Sequence, residues 1–333
     1  MSDTFLDKMR LNGDAEADDL VKRIFAENRQ HSLYAFLTNS MEPLAQNCVE
    51  LMSFSNSQKP DPAWFNKNRL MRGQMVFKNF ASEIMMLLGA MSLPFCYAAS
   101  PGNKALYLSD KMRKNPGKRL FDTAEFVIAV STPGSFGAGG RALDFIQIIR
   151  LTHAIARHRI MKNNWDMACG LPINQEDMAG TNLAFSYIVL LGLQKTGNIL
   201  TQRQRDDFLY LWRYIGYLLH IEEELLPASF YDAPLLAKQI IKRNFQPSME
   251  AEELPRDRRE YYKSIFPPLQ AKLIPARMRY LVGEEIAEIL GLKMPAWVET
   301  IDGAMGRAFE LKNFFTYPKN SFQNMMARHE QLK

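Results

Sequence analysis

Apolar residues along this chain recur every three to four positions over long windows, while the strict alternation of a half-buried strand is almost absent. That period predicts helices over about 16–37, 41–54, 65–92, 119–131, 141–161, 175–196, 202–221, 233–244, 258–263, 276–291 and 299–312. The breaks fall at proline and glycine clusters: Lys59-Pro60-Asp61-Pro62, Pro101-Gly102, Pro116-Gly117, and Pro133 through Gly140. No long linker, internal repeat or low-complexity tract interrupts the pattern, so it reads as a single all-α domain over 1–333. The segment Pro247 to Pro267 is charged and bounded by prolines, and is expected to be a surface excursion. The polar stretch from Pro318 onward is expected to be a frayed tail.

The most apolar run, Ile84 to Ala98, extends for about fifteen residues, begins after Glu83 and contains Pro94. A bilayer-spanning helix needs roughly 20 apolar residues, so the run is expected to be a buried helix ending near Leu93. Elsewhere the composition is that of a globular protein, 47% hydrophobic and 23% charged, with a formal net charge of +5. A modest positive charge favours anionic partners such as carboxylates, phosphates or heme propionates. Without a basic, aromatic-interleaved groove it does not indicate nucleic acid. Cys48, Cys96 and Cys169 are far apart and form no CxxC pair, which argues against paired-thiolate zinc or iron–sulfur sites and fits a reducing compartment. The acidic start, Met1 to Asp7, lacks the basic and apolar regions of a signal peptide, so a cytoplasmic location is expected.

Among five histidines, His153 has the most suggestive setting. Arg150 precedes it by three residues and Arg157 follows it by four, placing all three within roughly 60° on a helix. Phe145, Ile149, Ala156 and Ile160 form an adjacent apolar stripe. Heme needs an apolar slot, a neutral imidazole for its iron and cations at the margin for its propionates. A partly buried histidine beside two solvated arginines fits the same residues. His158 projects roughly 140° away and is expected to face solvent. On the helix after Arg119-Leu120-Phe121-Asp122, Arg119 and Thr123 share a face with Phe126 and Val130. Asn174 reads as an N-cap with Gln175-Glu176-Asp177 in the first turn, followed by an inward-facing Thr181. The glycines at 137–140 lack a preceding strand and a following lysine, so they are not a phosphate cradle. Glu222-Glu223-Glu224 reads as a solvated helix end.

Three runs together resemble the oxygenase family of latex-clearing (rubber oxygenase) and MpaB-type proteins: Gly117 to Thr123, Ile149 to Arg157, and Pro172 to Thr181. Softer matches are Trp212 to Leu219 and Ser92-Leu93 with Tyr97-Ala98, so the resemblance covers about 65–230. It implies a globin-like helical core over that range holding heme b, with peripheral helices over 1–64 and 231–333. It implies His153 as the iron ligand, Arg150 and Arg157 as cofactor-binding neighbours, and Arg119, Thr123 and Thr181 as catalytic polar residues near the pocket. It also implies dioxygen and an unsaturated hydrophobic small molecule, isoprenoid or lipid-like, as partners, with oxidative cleavage of a carbon–carbon double bond as the reaction. The alternative is a non-catalytic heme sensor or carrier, with His220 or a methionine as a second axial ligand. Two departures stand out: Asp122 occupies the position of a lysine that can cap the iron in the closed state of latex-clearing proteins, and His220 stands where a small residue is usual.

Overall fold

Pro94 dictates the shape of the central helical segment. Lacking an N–H, it leaves the carbonyl one turn earlier without its usual donor. The chain responds by widening: helix α6 (Ala81–Leu87) passes through a π-helical turn, Leu88–Ser92, into α7 (Leu93–Tyr97), and Leu93 N–H reaches back five residues to Leu88 O. The helix therefore does not stop near Leu93 but continues to Tyr97, with Pro94 in the first turn of its last section, where a missing N–H costs nothing. All of this lies in the interior: Ile84, Leu87 and Tyr97 are fully buried.

The computed structural model describes residues 1–38, 48–57, 59–109, 116–265 and 268–293, without the side chains of 38, 116–119, 261–265 and 268–273. Among the described residues the chain is helical throughout, and the sole extended pairing is an isolated bridge between Ala99 and Phe245. Helices α1 (Asp3–Met9), α2 (Ala15–Ala26), α3 (Gln30–Thr38) and α4 (Val49–Asn56) form the N-terminal part. They are followed by α5 (Lys67–Asn79), the α6–α7 unit, α8 (Gly102–Leu108), α9 (Pro116–Ser131) and α10 (Ala142–Met161). The rest comprises α11 (Gln175–Phe185), α12 (Tyr187–Lys195), α13 (Gln202–Leu218), α14 (Ala233–Asn244), α15 (Met249–Ile265), α16 (Pro268–Val282) and α17 (Glu284–Ile289). The expected helix over 299–312 and the tail from Pro318 lie outside the described residues.

Helix α10 separates two cores. Its Leu151, Ala154 and Ile155 pack with Leu20, Val21 and Ile24 of α2 and with Leu33, Phe36, Leu51 and Phe54 of α3 and α4. Its Ala142, Phe145 and Ile146 belong instead to the larger core built from α5–α7, α9 and α11–α17. No single helix among the described residues is long and apolar enough to cross a membrane.

The connection between α9 and α10 shows why its glycines are there. A Cβ on Gly140 would lie 2.1 Å from Ser135 O, and Gly134 and Gly139 have φ of 85° and 75°. The segment is a tight turn and not a ligand loop. The segment expected as a surface excursion is instead part of the fold: α15 carries Pro255 in its interior and buries Ala251, Leu254 and Arg258. Its charge pattern masks a narrow buried stripe.

Close approach of α5 and α13 is fixed by Gly73, where a Cβ would lie 2.3 Å from Asp207 O and 2.8 Å from Leu211 Cβ. Both of these neighbours belong to a helix that cannot swing aside, because Asp207 is 3% exposed and accepts from Arg72 Nε at 2.6 Å. Gly73→Ala is therefore expected to lower unfolding free energy by about 1–3 kcal/mol in a urea titration, the usual cost of overpacking. Unchanged stability would mean that the two helices move apart freely.

Candidate cofactor site

His153 is half-buried at the middle of α10. By helical periodicity it lies on the line of Ile146, Ile149 and Ile160, the edge of α10 that turns toward the larger core. Of the stripe expected beside it, Phe145 and Ile160 are buried and Ile149 and Ala156 half-buried.

The two arginines, on the neighbouring strip of α10, pair with the start of α2. Arg150 is 2% exposed, and its Nε and Nη2 donate to Asp14 Oδ2 and Oδ1 at 2.7 and 3.0 Å. Nη2 also donates to Glu16 Oε2 at 2.7 Å, and Nη1 to Gln147 Oε1 at 2.9 Å. The guanidinium stacks on Phe54, 4.7 Å from the ring centre. Every nitrogen of Arg150 is thus engaged, and it is a structural cation. Burial opposes ionisation of Asp14, but Arg150's hydrogen bonds and charge outweigh it and hold the carboxyl below its ordinary range. Arg157 donates from Nε to Asp18 Oδ1 at 2.7 Å and from Nη1 to Ile173 O at 3.0 Å. Its Nη2 is buried and makes no hydrogen bond, a donor suited to a carboxylate.

His220 sits in the same cluster. Its Nδ1 lies 3.3 Å from Arg150 Nη2. Burial, and then Arg150's charge, lower its pKa. The ligand atoms of Asp14, Glu16 and His220 all lie within 4.8 Å of one another, a spacing that suits a metal ion. Arg150 already occupies the place of that cation. His220 is thus tied to Arg150.

His220 has a φ of 59°, a backbone position that asparagine tolerates well. Because its pKa is depressed on folding, the unfolded chain takes up protons first and stability falls as pH drops through the ordinary histidine range. His220→Asn is expected to flatten the decline in Tm between about pH 7.5 and about pH 5.5, a window bracketing the unfolded histidine near 6.5. A decline as steep as that of the parent would remove His220 from this role.

The Asn-Gln-Glu-Asp run at the start of α11 is a long-range tie. Asn174 Oδ1 accepts from Asp177 N–H at 2.9 Å, the expected N-cap. Gln175 Nε2 donates to Gly13 O and His220 O at 2.9 and 2.8 Å, and its Oε1 accepts from Glu222 N–H at 2.9 Å. Glu176 is fully buried, accepting from Arg243 Nε and Asn244 Nδ2, both at 2.9 Å. Burial, with help from Glu176's charge and against Arg10, raises Asp177 to about 6. Thr181 donates its hydroxyl proton to Asp177 O at 2.9 Å and contacts the Cys96 thiol of α7, which burial pushes up to about 12. Thr181's oxygen therefore faces any ligand as an acceptor.

Thr123 and Asp122 are half-buried on α9, which packs on α10. Arg119 belongs to the same helix, with its side chain outside the described residues. Of the other histidines, His158 is half-buried, with its ring stacked 4.5 Å from that of Phe25, and does not face solvent as expected. Glu222 to Glu224 are exposed, as expected. The residues that sequence reasoning missed are Asp14, Glu16 and Asp18. Their signal was two carboxylates four residues apart on α2, facing two buried guanidinium groups that have to be neutralised.

The family model described as ER-bound oxygenase mpaB/B'/rubber oxygenase, catalytic domain, matches residues 77–309. The rubber oxygenase of Streptomyces sp. (strain K30) is 23% identical over 247 residues, 73% of this chain and 60% of that protein. This chain thus spans less than two thirds of that relative's length. The solved structure of latex clearing protein LCP in the closed state superposes with a TM-score of 0.73 at 20% identity, covering 93% of this chain and 86% of that one. By the extent of the family match, the chain belongs to the ER-bound oxygenase mpaB/B'/rubber oxygenase catalytic-domain family.

Proposed function

We propose that this protein is a heme b-dependent oxygenase acting with dioxygen on an unsaturated, hydrophobic isoprenoid- or lipid-like molecule. The observation that carries the reading is His153, a half-buried imidazole on the core-facing apolar edge of α10 within the matched family domain. The donor set fits the cofactor in two respects. His153 supplies a half-buried imidazole on α10, and Arg157 offers a buried, unmatched Nη2 for a propionate. Heme, when bound, supplies the iron that activates dioxygen for oxidative cleavage of a carbon–carbon double bond.

The remaining contributions belong to the chain itself. Half-buried Leu106, Tyr107, Leu120 and Ile149, on α8, α9 and α10, pack against the larger core and offer apolar surface to an isoprenoid chain. Arg119 and Thr123, both residues of α9, are assigned to orienting dioxygen by the family resemblance. Thr181 adds an acceptor on α11. Asp122 stands where the latex-clearing protein has a lysine, so this chain is expected not to form a lysine-capped closed state.

The reading predicts that hemin-loaded protein consumes dioxygen when given an unsaturated polyprenyl chain and not when given its hydrogenated counterpart. Equal consumption with both would overturn the assignment of the double bond as the reacting group.

A further inference from the structure

We infer that helix α2 is the positioning element of the His153 helix and that it acts through Asp14 and Asp18. The inference rests on the heme reading above. Both aspartates lie before residue 77, where the family match begins, so the matched domain alone does not contain them.

Asp14 and Asp18 stand one turn apart at the start of α2, and Arg150 and Arg157 stand two turns apart on α10. The pairs Asp14–Arg150 and Asp18–Arg157 each close at 2.7 Å. Two such pairs fix α10 in rotation and in translation together, because a slip of one turn, about 5.4 Å, would break both. Arg150 extends the tie through Gln147, whose Nε2 donates to Ser57 O at 2.6 Å after α4, and through the Nδ1 of His220 after α13. His153 lies between the two arginines in sequence, so pinning them sets the direction in which its imidazole leaves the helix. Buried ion pairs of this kind add little net stability over apolar packing, and their best-attested use is to fix register. Apolar contacts between α2 and α10 would tolerate small rotations that these pairs do not.

The test uses the full chain in three variants: Asp14→Asn with Asp18→Asn, Asp18→Asn alone, and Asp207→Asn. Asparagine at position 14 keeps the N-cap hydrogen bond to Ala17 N–H while removing the charge. Asp207→Asn breaks a pair with a buried carboxylate and an exposed guanidinium, that of Arg72, between α5 and α13. Each protein is titrated with hemin, its ferric and ferrous–carbon monoxide spectra are recorded, and the Tm of the cofactor-free chain is measured. Loss of the Asp14 and Asp18 charges is expected to weaken hemin binding about tenfold or more and to shift or split the Soret band. Asp18→Asn should show a smaller change in the same direction, with Asp18→Glu restoring the parent spectrum. Asp207→Asn should lower Tm and leave affinity and spectrum unchanged. If α2 variants that fold keep the parent's affinity and spectrum, or if Asp207→Asn shows the same spectral change, the positioning role is wrong. Should the parent itself take up no hemin, the heme reading falls and this inference falls with it.

Discussion

His153→Ala is expected to abolish the Soret band of hemin-treated protein while leaving its helical circular dichroism intact. The fold should survive because His153 is half-buried at the edge of α10, and the residues that anchor that helix are others: Arg150, Arg157 and the apolar faces on both sides. Alanine is also the best helix former, so truncation costs little local stability. Iron, in contrast, would lose its protein ligand outright. Imidazole added to the variant should restore part of the absorption by filling the truncated position. If the variant kept full hemin binding with the parent's spectrum, a different residue would be the ligand.

Arg150→Met should be the most destabilising single change at the site, lowering unfolding free energy by about 3–5 kcal/mol, because it leaves a buried carboxylate without its counter-charge. Asp14 is 2% exposed and depends on Arg150 to remain ionised. Without the guanidinium, burial would raise the pKa of Asp14. An acid whose folded pKa is raised loses stability as pH rises, so the deficit of Arg150→Met should shrink on going from about pH 7 to about pH 5. Adding Asp14→Asn removes the stranded charge while keeping the cap, and is expected to recover much of the loss. Denaturant titrations of the two single variants and the double variant check this. Additive losses in the double variant would show that the pair is not the source of the effect.

Much of the fold was legible in the sequence because helical periodicity reports which face of a segment is apolar. The helices at 119–131, 141–161 and 202–221 correspond closely to α9, α10 and α13. Periodicity does not report what covers a face. Arg150 and Arg157 were correctly placed on one edge of α10, yet their partners lie 136 and 139 residues away on α2. Sequence spacing alone favoured a solvated pair over a propionate-binding one, and the structure shows ion pairs in which both guanidinium groups are buried. Glu176 was legible as a first-turn acid favoured by the helix dipole. Its burial against Arg243 and Asn244 depends on α14, which begins dozens of residues later. The segment before Pro267 misled for a simpler reason: in α15 an interior proline and many charges conceal a stripe that needs only Ala251, Leu254 and Arg258 to pack.

The most direct measurement is the absorption spectrum of the purified full-length chain after hemin addition and removal of the excess, oxidised and then reduced under carbon monoxide. A pentacoordinate heme held by His153 predicts a stoichiometric Soret band that shifts on carbon monoxide binding. A spectrum no different from that of hemin without protein would contradict the assignment of His153 and the function built on it.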